Sequence, residues 1–499
     1  MNRPQTLKEL VDSGYKSLPV KDEIRKNLLL KIEKGEELFP GIIGYDKTVI
    51  PAIVNALLAK HNFILLGLRG QAKTRILRAI ASFLDEYIPV IKGSQINDNP
   101  FYPVSSWGKK ILREKGENTP VEWIERSLRY NEKLATPDVS MADLIGDIDP
   151  IKAATQKLTY SDEEVIHFGI IPRSNRGVFA INELPDLQPR IQVGLLNLLE
   201  EGDVQFRGFP VRMPLDILIV FSANPEDYTN RGNIITPLKD RIDSQIMTHY
   251  PLSVKDGVAI TEQEAWINRE IPARIIIPDY FKELVEEIAF EARQSEYIYQ
   301  NSGVSARLPI SAMENLISNM EKRAFIYKES PVYPRICDLW AVIPSITGKI
   351  ELVYEGEQEG AQSVARRLTG AAVKKTFQKL FPKATDTPVR EDYRRDDMRK
   401  PQVESIYREI IEWFGKGNKI EVSDDMKWDE YFHSLMKVPS LFDLAKKYVA
   451  GKDRYEMALG MEIILEGLHQ HSLLAKENLD TKSSYFDVLK VMFDQMKKW

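Results

Sequence analysis

The segment Asn62 to Leu77, "NFILLGLRGQAKTRIL", decides how the rest of the chain is read. An apolar run, Phe63 to Leu66, leads into Gly67-Leu68-Arg69-Gly70-Gln71-Ala72-Lys73-Thr74. That octapeptide departs at one position, Ala72, from the phosphate-binding pattern G-x-x-x-x-G-K-[ST]. A buried strand, a glycine-containing turn and a helix opening at Lys73 form the context the pattern requires. There the loop N–H groups, from Gly67 through Arg75, can face phosphate oxygens, and the helix dipole favours an anion. Lys73 supplies a positive point charge for the β- and γ-phosphates, and Thr74 a hydroxyl for Mg²⁺. Alanine can replace glycine wherever φ is negative, at the cost of one methyl group near the phosphates.

Working outward, strands and helices alternate to about residue 250, which predicts a parallel sheet covered by helices. "GVFAIN" (177–182) is a second buried strand, and "DILIVFSAN" (216–224) a third. "KTRILRAIASFLDEY" and "PRIQVGLLNLLEEG" have helical periodicity, and "DVQFRGFPVRM" (203–213) alternates about a Gly-Phe-Pro turn as a hairpin does. The second strand ends in Asn182 and Glu183. Nucleotide hydrolases usually carry aspartate and then glutamate there, the first helping to hold Mg²⁺ and the second polarising the attacking water. Glu183 retains the basic group. Asn182 lacks the charge, but its amide oxygen can accept from a metal-bound water. Asn224, closing the third strand, is placed to bond a γ-phosphate or the water.

Two arginines complete the set. Arg241, in "NIITPLKDRID", follows a short amphipathic segment and is read as reaching beyond its own subunit. An arginine inserted into a neighbour's site is worth roughly 10³–10⁵ in rate where measured. Arg307, in "GVSARLPISAMENL", opens a helix further on, within reach of the same phosphates.

The 499 residues suffice for several domains, with 43% hydrophobic and 28% charged residues and a formal charge of −5. An acidic chain gives no support to nucleic-acid binding, which draws on Lys and Arg. The single cysteine, Cys337, excludes an internal disulfide. No apolar run nears the ~20 residues of a membrane span, and the start shows no signal-peptide core, so a cytoplasmic location is expected. His469 and His471 stand two apart on a predicted helix and face different directions, which argues against a shared metal. The charge run "VREDYRRDDMRKPQ" (389–402) reads as a solvated connector.

Taken in order, these motifs resemble the AAA+ ATPases, and within them the magnesium-chelatase I subunit and MoxR/RavA clade. "GLRGQAKT" is similar to the G-x-x-G-x-A-K-[ST] variant of MoxR-type members. "GIIGYDKTVI" resembles the segment that contacts adenine, with Ile43 and Gly44 the expected contacts. "DLIGDIDPIKAATQ…FGIIPRSNRGVFAINEL" resembles the helix-2 insertion running into the Walker B strand, and residues 203–213 the pre-sensor-1 hairpin. Asn224, Arg241 and Arg307 then correspond to sensor 1, arginine finger and sensor 2.

The resemblance implies an α/β P-loop core with a parallel sheet flanked by helices, a helical lid and a further, mainly helical C-terminal region. The expected segments are 1–40 (N-terminal helices), 41–255 (nucleotide-binding domain), 256–385 (lid) and 386–499 (C-terminal helices). It further implies ATP and Mg²⁺ at the subunit interfaces of a ring, a hexamer by family habit. The work done there would be the remodelling or assembly of a protein client, in the manner of family members that act with von Willebrand A domain proteins. The segment "NDNPFYPVSSWGKKILREKGENTPVEWIERSLRYNEKL" (97–134) is read as a loop and helix facing a partner or the central pore. Three alternatives stand beside this reading, the first of them in a different class. A sigma-54-type activator is disfavoured by the missing G-A-F-T-G-A sequence and the lack of an obvious C-terminal helix-turn-helix. A metal-chelatase subunit is disfavoured by the long C-terminal region and by Asn182, and an ATP-binding switch without turnover rests on Asn182 alone.

Overall fold

The computed structural model describes residues 3–148, 165–206, 212–224, 233–384, 405–449, 451, 453–479 and 482–487. Contacts divide the chain into two compact units, residues 1–250 and 251–499.

The first unit is built on five parallel strands: β1 (Phe63–Leu66), β2 (Tyr130–Leu134), β3 (Gly177–Asn182), β4 (Ile217–Ala223) and β5 (Ser244–Met247). Their spatial order is β5-β1-β4-β3-β2. Register sets Leu66 opposite Ala223 and Met247, Phe221 opposite Ile181, and Leu134 opposite Asn182. The carboxyl ends of the strands therefore finish along one edge. Strands β1, β3 and β4 are buried at every residue, which is why they read as continuous apolar runs rather than alternating ones.

Alternate residues feed two cores. Phe63, Leu65, Val178, Ala180, Leu218 and Val220 face helices Val20–Glu33, Val49–Leu58 and Lys73–Ala79. Ile64, Leu66, Phe179, Ile181, Ile219 and Phe221 face a second layer that includes helices Pro189–Gly194 and Leu196–Glu200. Each of these side chains other than Ala180 contributes roughly 1.5–3 kcal/mol by leaving water. Helix Val20–Glu33 joins the first layer through Val20, Ile24 and Leu28, spaced one turn apart.

Two expectations change. The helix expected to run through Tyr87 stops earlier: Lys73–Ala79 passes into a 3₁₀ turn, Ile80–Phe83, and Tyr87–Ile91 is already a strand. Nor is segment 97–134 simply a loop and helix. Val121–Glu125 pairs antiparallel with Tyr87–Ile91, and the segment ends in β2, an edge strand of the main sheet. Within it, buried Asp98 accepts hydrogen bonds from the Val104 and Ser105 N–H groups (2.8 and 2.9 Å) and from the Ser94 and Ser105 hydroxyls (2.8 and 2.6 Å), pinning the turn before helix Ser106–Lys115.

At the expected hairpin, Asp203–Gln205 pairs with Arg212–Pro214, and the Gly-Phe-Pro turn lies outside the described residues. Of the helix-2 insertion, Gly146–Ile148 pairs with Ile166–Phe168, and 149–164 lie outside them, as do the residues following Asn224 and the charge run 389–402.

The second unit is mainly helical. Helices Asp279–Gln294, Arg307–Tyr327, Ala361–Leu380 and Arg454–Gln470 share one core that extends from Phe281 to Tyr485. A small antiparallel sheet, in the order Ile420–Ser423, Lys482–Phe486, Ala475–Leu479, joins it and was not evident from periodicity. Its strands are short, and "KSSYF" lacks a clear alternation. No helix among the described residues is long and apolar enough to cross a membrane.

Candidate functional site

Gly67 follows β1 and donates its N–H to the Ala223 carbonyl (3.1 Å). A β-carbon at Gly67 would lie 1.8 Å from Thr248 Oγ1 and 2.2 Å from Gln71 Oε1, so no other residue fits there. The loop then turns through Gly70 at φ +75° and Ala72 at φ +57°. The negative φ at which alanine replaces glycine freely is therefore not the one found at Ala72. The chain needs a left-handed residue immediately before the helix to reverse from strand to helix. The Ala72 methyl is exposed, so its cost is the intrinsic one of about 1–2 kcal/mol, without a clash against neighbours.

Lys73 is buried, and its Nζ donates to the carbonyl oxygens of Gly67 and Leu68 (the latter 3.1 Å) and to Asn224 Oδ1 (2.8 Å). The two residues, 151 positions apart in sequence, meet because β1 and β4 are neighbours in register. On the other side of β4, Ser222 Oγ donates to Asn182 Oδ1 (3.1 Å) and accepts from the Glu183 N–H (3.3 Å). Glu183 is half-buried and left-handed, φ +56° and ψ +50°. Non-glycine residues in that region are often held there by a functional constraint. Thr74 is half-buried and Arg75 exposed.

The carbonyls of the loop are held from behind. Tyr250 Oη donates to the Arg69 carbonyl (2.9 Å), and Tyr45 Oη lies 3.1 Å from the Gln71 carbonyl and 2.6 Å from that of His249. Burial pushes the Tyr45 phenol up to about 12, so it stays protonated. Thr248 Oγ1 donates to Gln71 Oε1 (2.6 Å). Through Tyr45 the neighbouring pair Ile43 and Gly44 (φ +80°) is tied to the loop. Ser222, Thr248, Tyr250 and Tyr45 were not singled out from sequence. The signal for Ser222 was present, since it lies two residues before Asn224 and so on the same strand face. The other three depend on β5 lying beside β1.

Arg241 ends helix Thr236–Arg241 and is tied to its own chain: Nε and Nη2 contact Glu200 Oε2 (2.7 and 2.6 Å), and Nη1 the Pro237 carbonyl (3.0 Å). The pair is solvent-exposed, so separating it costs about 0–1 kcal/mol. Arg307 is exposed at the start of helix Arg307–Tyr327 in the second unit. His469 and His471 engage separate backbone carbonyls, Leu474 and Gly467. Among the described residues no group of three or more His, Cys, Asp or Glu is placed to hold a metal.

With this geometry established, comparison with known proteins gives relatives over part of the chain. The chain is 26% identical over 238 residues to the magnesium-chelatase 38 kDa subunit of Cereibacter sphaeroides, covering 46% of this chain and 64% of that subunit. The chain resembles a magnesium-chelatase I-type AAA+ protein. It spans less than two thirds of that relative's length. A 93-residue stretch is 31% identical to the hydrogenase transcriptional regulatory protein HoxA of Cupriavidus necator, covering 18% of this chain and 19% of HoxA. Among solved structures, a complex between subunits BchI and BchD of magnesium chelatase aligns at 18% identity and a TM-score of 0.34, over 64% of this chain and 98% of that one. No family model matches the chain. In this chain the loop and the termini of β3 and β4, where those motifs were read, lie together at one edge of the sheet.

Proposed function

We propose that the first unit binds ATP with Mg²⁺ on the loop 67–75 and hydrolyses it, to drive the remodelling or assembly of a protein partner. The observation that carries this reading is the Lys73–Asn224 bond at the carboxyl edge of the sheet, with Glu183 ending the next strand. Parallel sheets bind ligands at that edge. Phosphate oxygens would replace the Gly67 and Leu68 carbonyls as acceptors for Lys73, while Asn224 keeps the ammonium aimed.

The donors Thr74, Asn182 and Glu183 include one carboxylate. They suit a cation that arrives with oxygen ligands of its own, as Mg²⁺ does on a nucleotide, better than one caged by protein alone. Bound there, Mg²⁺ would neutralise charge on the β- and γ-phosphates. Glu183 would orient and deprotonate the attacking water, and Ile43 and Gly44 would flank the base. Arg241 of a neighbouring copy, released from Glu200, would reach the γ-phosphate in a ring, a hexamer in this reading, with Arg307 contributing from the second unit. The relative acts as one subunit of a larger enzyme, which supports a protein partner here; a von Willebrand A domain protein is the candidate.

The test is Mg²⁺-dependent ATP turnover of the wild type beside Glu183→Gln and Lys73→Ala. Turnover lost in both, with nucleotide binding kept only in Glu183→Gln, is the expected result. Equal protection of wild type and Lys73→Ala by ATP against heat would sink the assignment of the loop. Mixing Arg241→Ala with Glu183→Gln chains should restore part of the activity if the site is shared between copies.

A further inference from the structure

We propose that the second unit holds a separate ligand site, a cavity that takes a small organic anion with a flat apolar body. The cavity has a volume of about 250 Å³ and lies where helices Ala361–Leu380 and Arg454–Gln470 meet the turn Ile336–Val342 and strand Ala475–Leu479. Its apolar wall is Ile336, Leu339, Trp340 and Val373. Gly370 keeps it open, since a β-carbon there would lie 2.7 Å from Gln470 Nε2 and push that side chain aside.

The charge in the lining points to the sign of the ligand. Arg366, Arg367 and Lys476 face a single carboxylate, Glu466. That carboxylate is already engaged, accepting from Lys476 Nζ (2.7 Å), Tyr485 Oη (2.7 Å) and Gln470 Nε2 (2.9 Å). Burial alone would raise its pKa, but the Lys476 ammonium outweighs this and holds it down at about 2. A cationic ligand would have to break those bonds. Arg367 is bound to Glu359 (2.6 Å). Arg366 is different: it is exposed, and its guanidinium carbon sits 5.1 Å from the centre of the Trp340 ring. Among the described residues no carboxylate pairs with it. A guanidinium lining a cavity with one apolar wall can bind carboxylate or phosphate through paired N–H donors. The volume of about 250 Å³ lies just below the usual range of roughly 300–1,000 Å³ for ligand pockets, which suits a single ring rather than a nucleotide.

Benzoate, phenyl phosphate and neutral benzyl alcohol serve as probes, with binding to the full chain followed by saturation-transfer NMR and calorimetry. The anions should bind and the alcohol should not, and Arg366→Ala should weaken the anions at least ten-fold while the fold and ATP turnover are kept. Lys73→Ala should leave the signal in place, which separates this site from the loop. Preference for one anion over the other identifies the head group. Equal binding of all three probes, or anion binding unchanged in Arg366→Ala, would overturn the proposal. This site stands or falls independently of ATP hydrolysis by the first unit.

Discussion

The two ends of the central sheet carry comparable amounts of buried polarity and use it differently. At the amino ends, Arg129 precedes β2, Arg176 precedes β3 and Asp216 precedes β4. There Glu23 accepts both Arg129 Nη atoms (2.6 and 2.7 Å), Arg129 Nε donates to the Arg176 carbonyl (2.8 Å), and the Val20 N–H is capped by Asp216 (2.9 Å). Glu23 and Arg129 are sealed, their side chains 5% and 1% exposed. At the carboxyl ends, Lys73, Asn182, Glu183 and Asn224 also come together, but Glu183, Asn224 and Thr74 are half-buried and Arg75 is exposed. Left-handed residues occur at both ends, Arg176 at one and Glu183 at the other, so backbone strain does not separate them. Access does: the amino-end ions are closed against each other, whereas those at the carboxyl end remain within reach of a ligand.

This contrast makes predictions of decreasing size. Glu183→Gln should cut ATP turnover by at least about 10², the lower range for loss of a general base, with little change in Tm. Normal turnover in that variant would remove the distinction between the ends. Arg129→Ala leaves Glu23 buried without its partner and should cost about 3–5 kcal/mol in denaturant titration, while turnover per folded molecule holds. A change in turnover with no loss of stability would reverse the roles assigned to the two ends. Tyr250→Phe deletes one bond to the loop, worth roughly 0.5–1.5 kcal/mol, and should raise KM for ATP several-fold with a smaller change in kcat. Equal falls in both parameters would make the contact structural. Smallest is Ala72→Gly: relief of about 1–2 kcal/mol of left-handed strain, offset by about 0.4–1 kcal/mol of added chain freedom when unfolded, predicts a slight rise in Tm. A fall in Tm would mean the methyl group packs against something.

Much of the first unit was legible because its signals are local. A strand buried on both faces must be apolar throughout, so "FILL", "GVFAIN" and "ILIVFSA" declare themselves, and polar residues at their ends stand out. The Lys73, Glu183 and Asn224 motifs could be quoted in order for the same reason. Strand β2 was hidden, since "YNEKL" is an edge strand with partly exposed residues and no apolar run. The positive φ of Ala72 was not legible, because it is imposed by the path from β1 into the helix, which one-letter spacing does not encode.

By itself, then, the sequence determined where the buried strands run and which polar residues close them, because burial and periodicity act within a few residues of each other. Tertiary structure alone decided that Asn224 meets Lys73, that Ser222 supports Asn182 and Glu183, and that Tyr45, Thr248 and Tyr250 hold the loop. It likewise decided that Arg241 bonds Glu200 and that Arg366 borders a cavity. These contacts depend on strand order and register, which arise when distant segments compete to bury the same apolar surface.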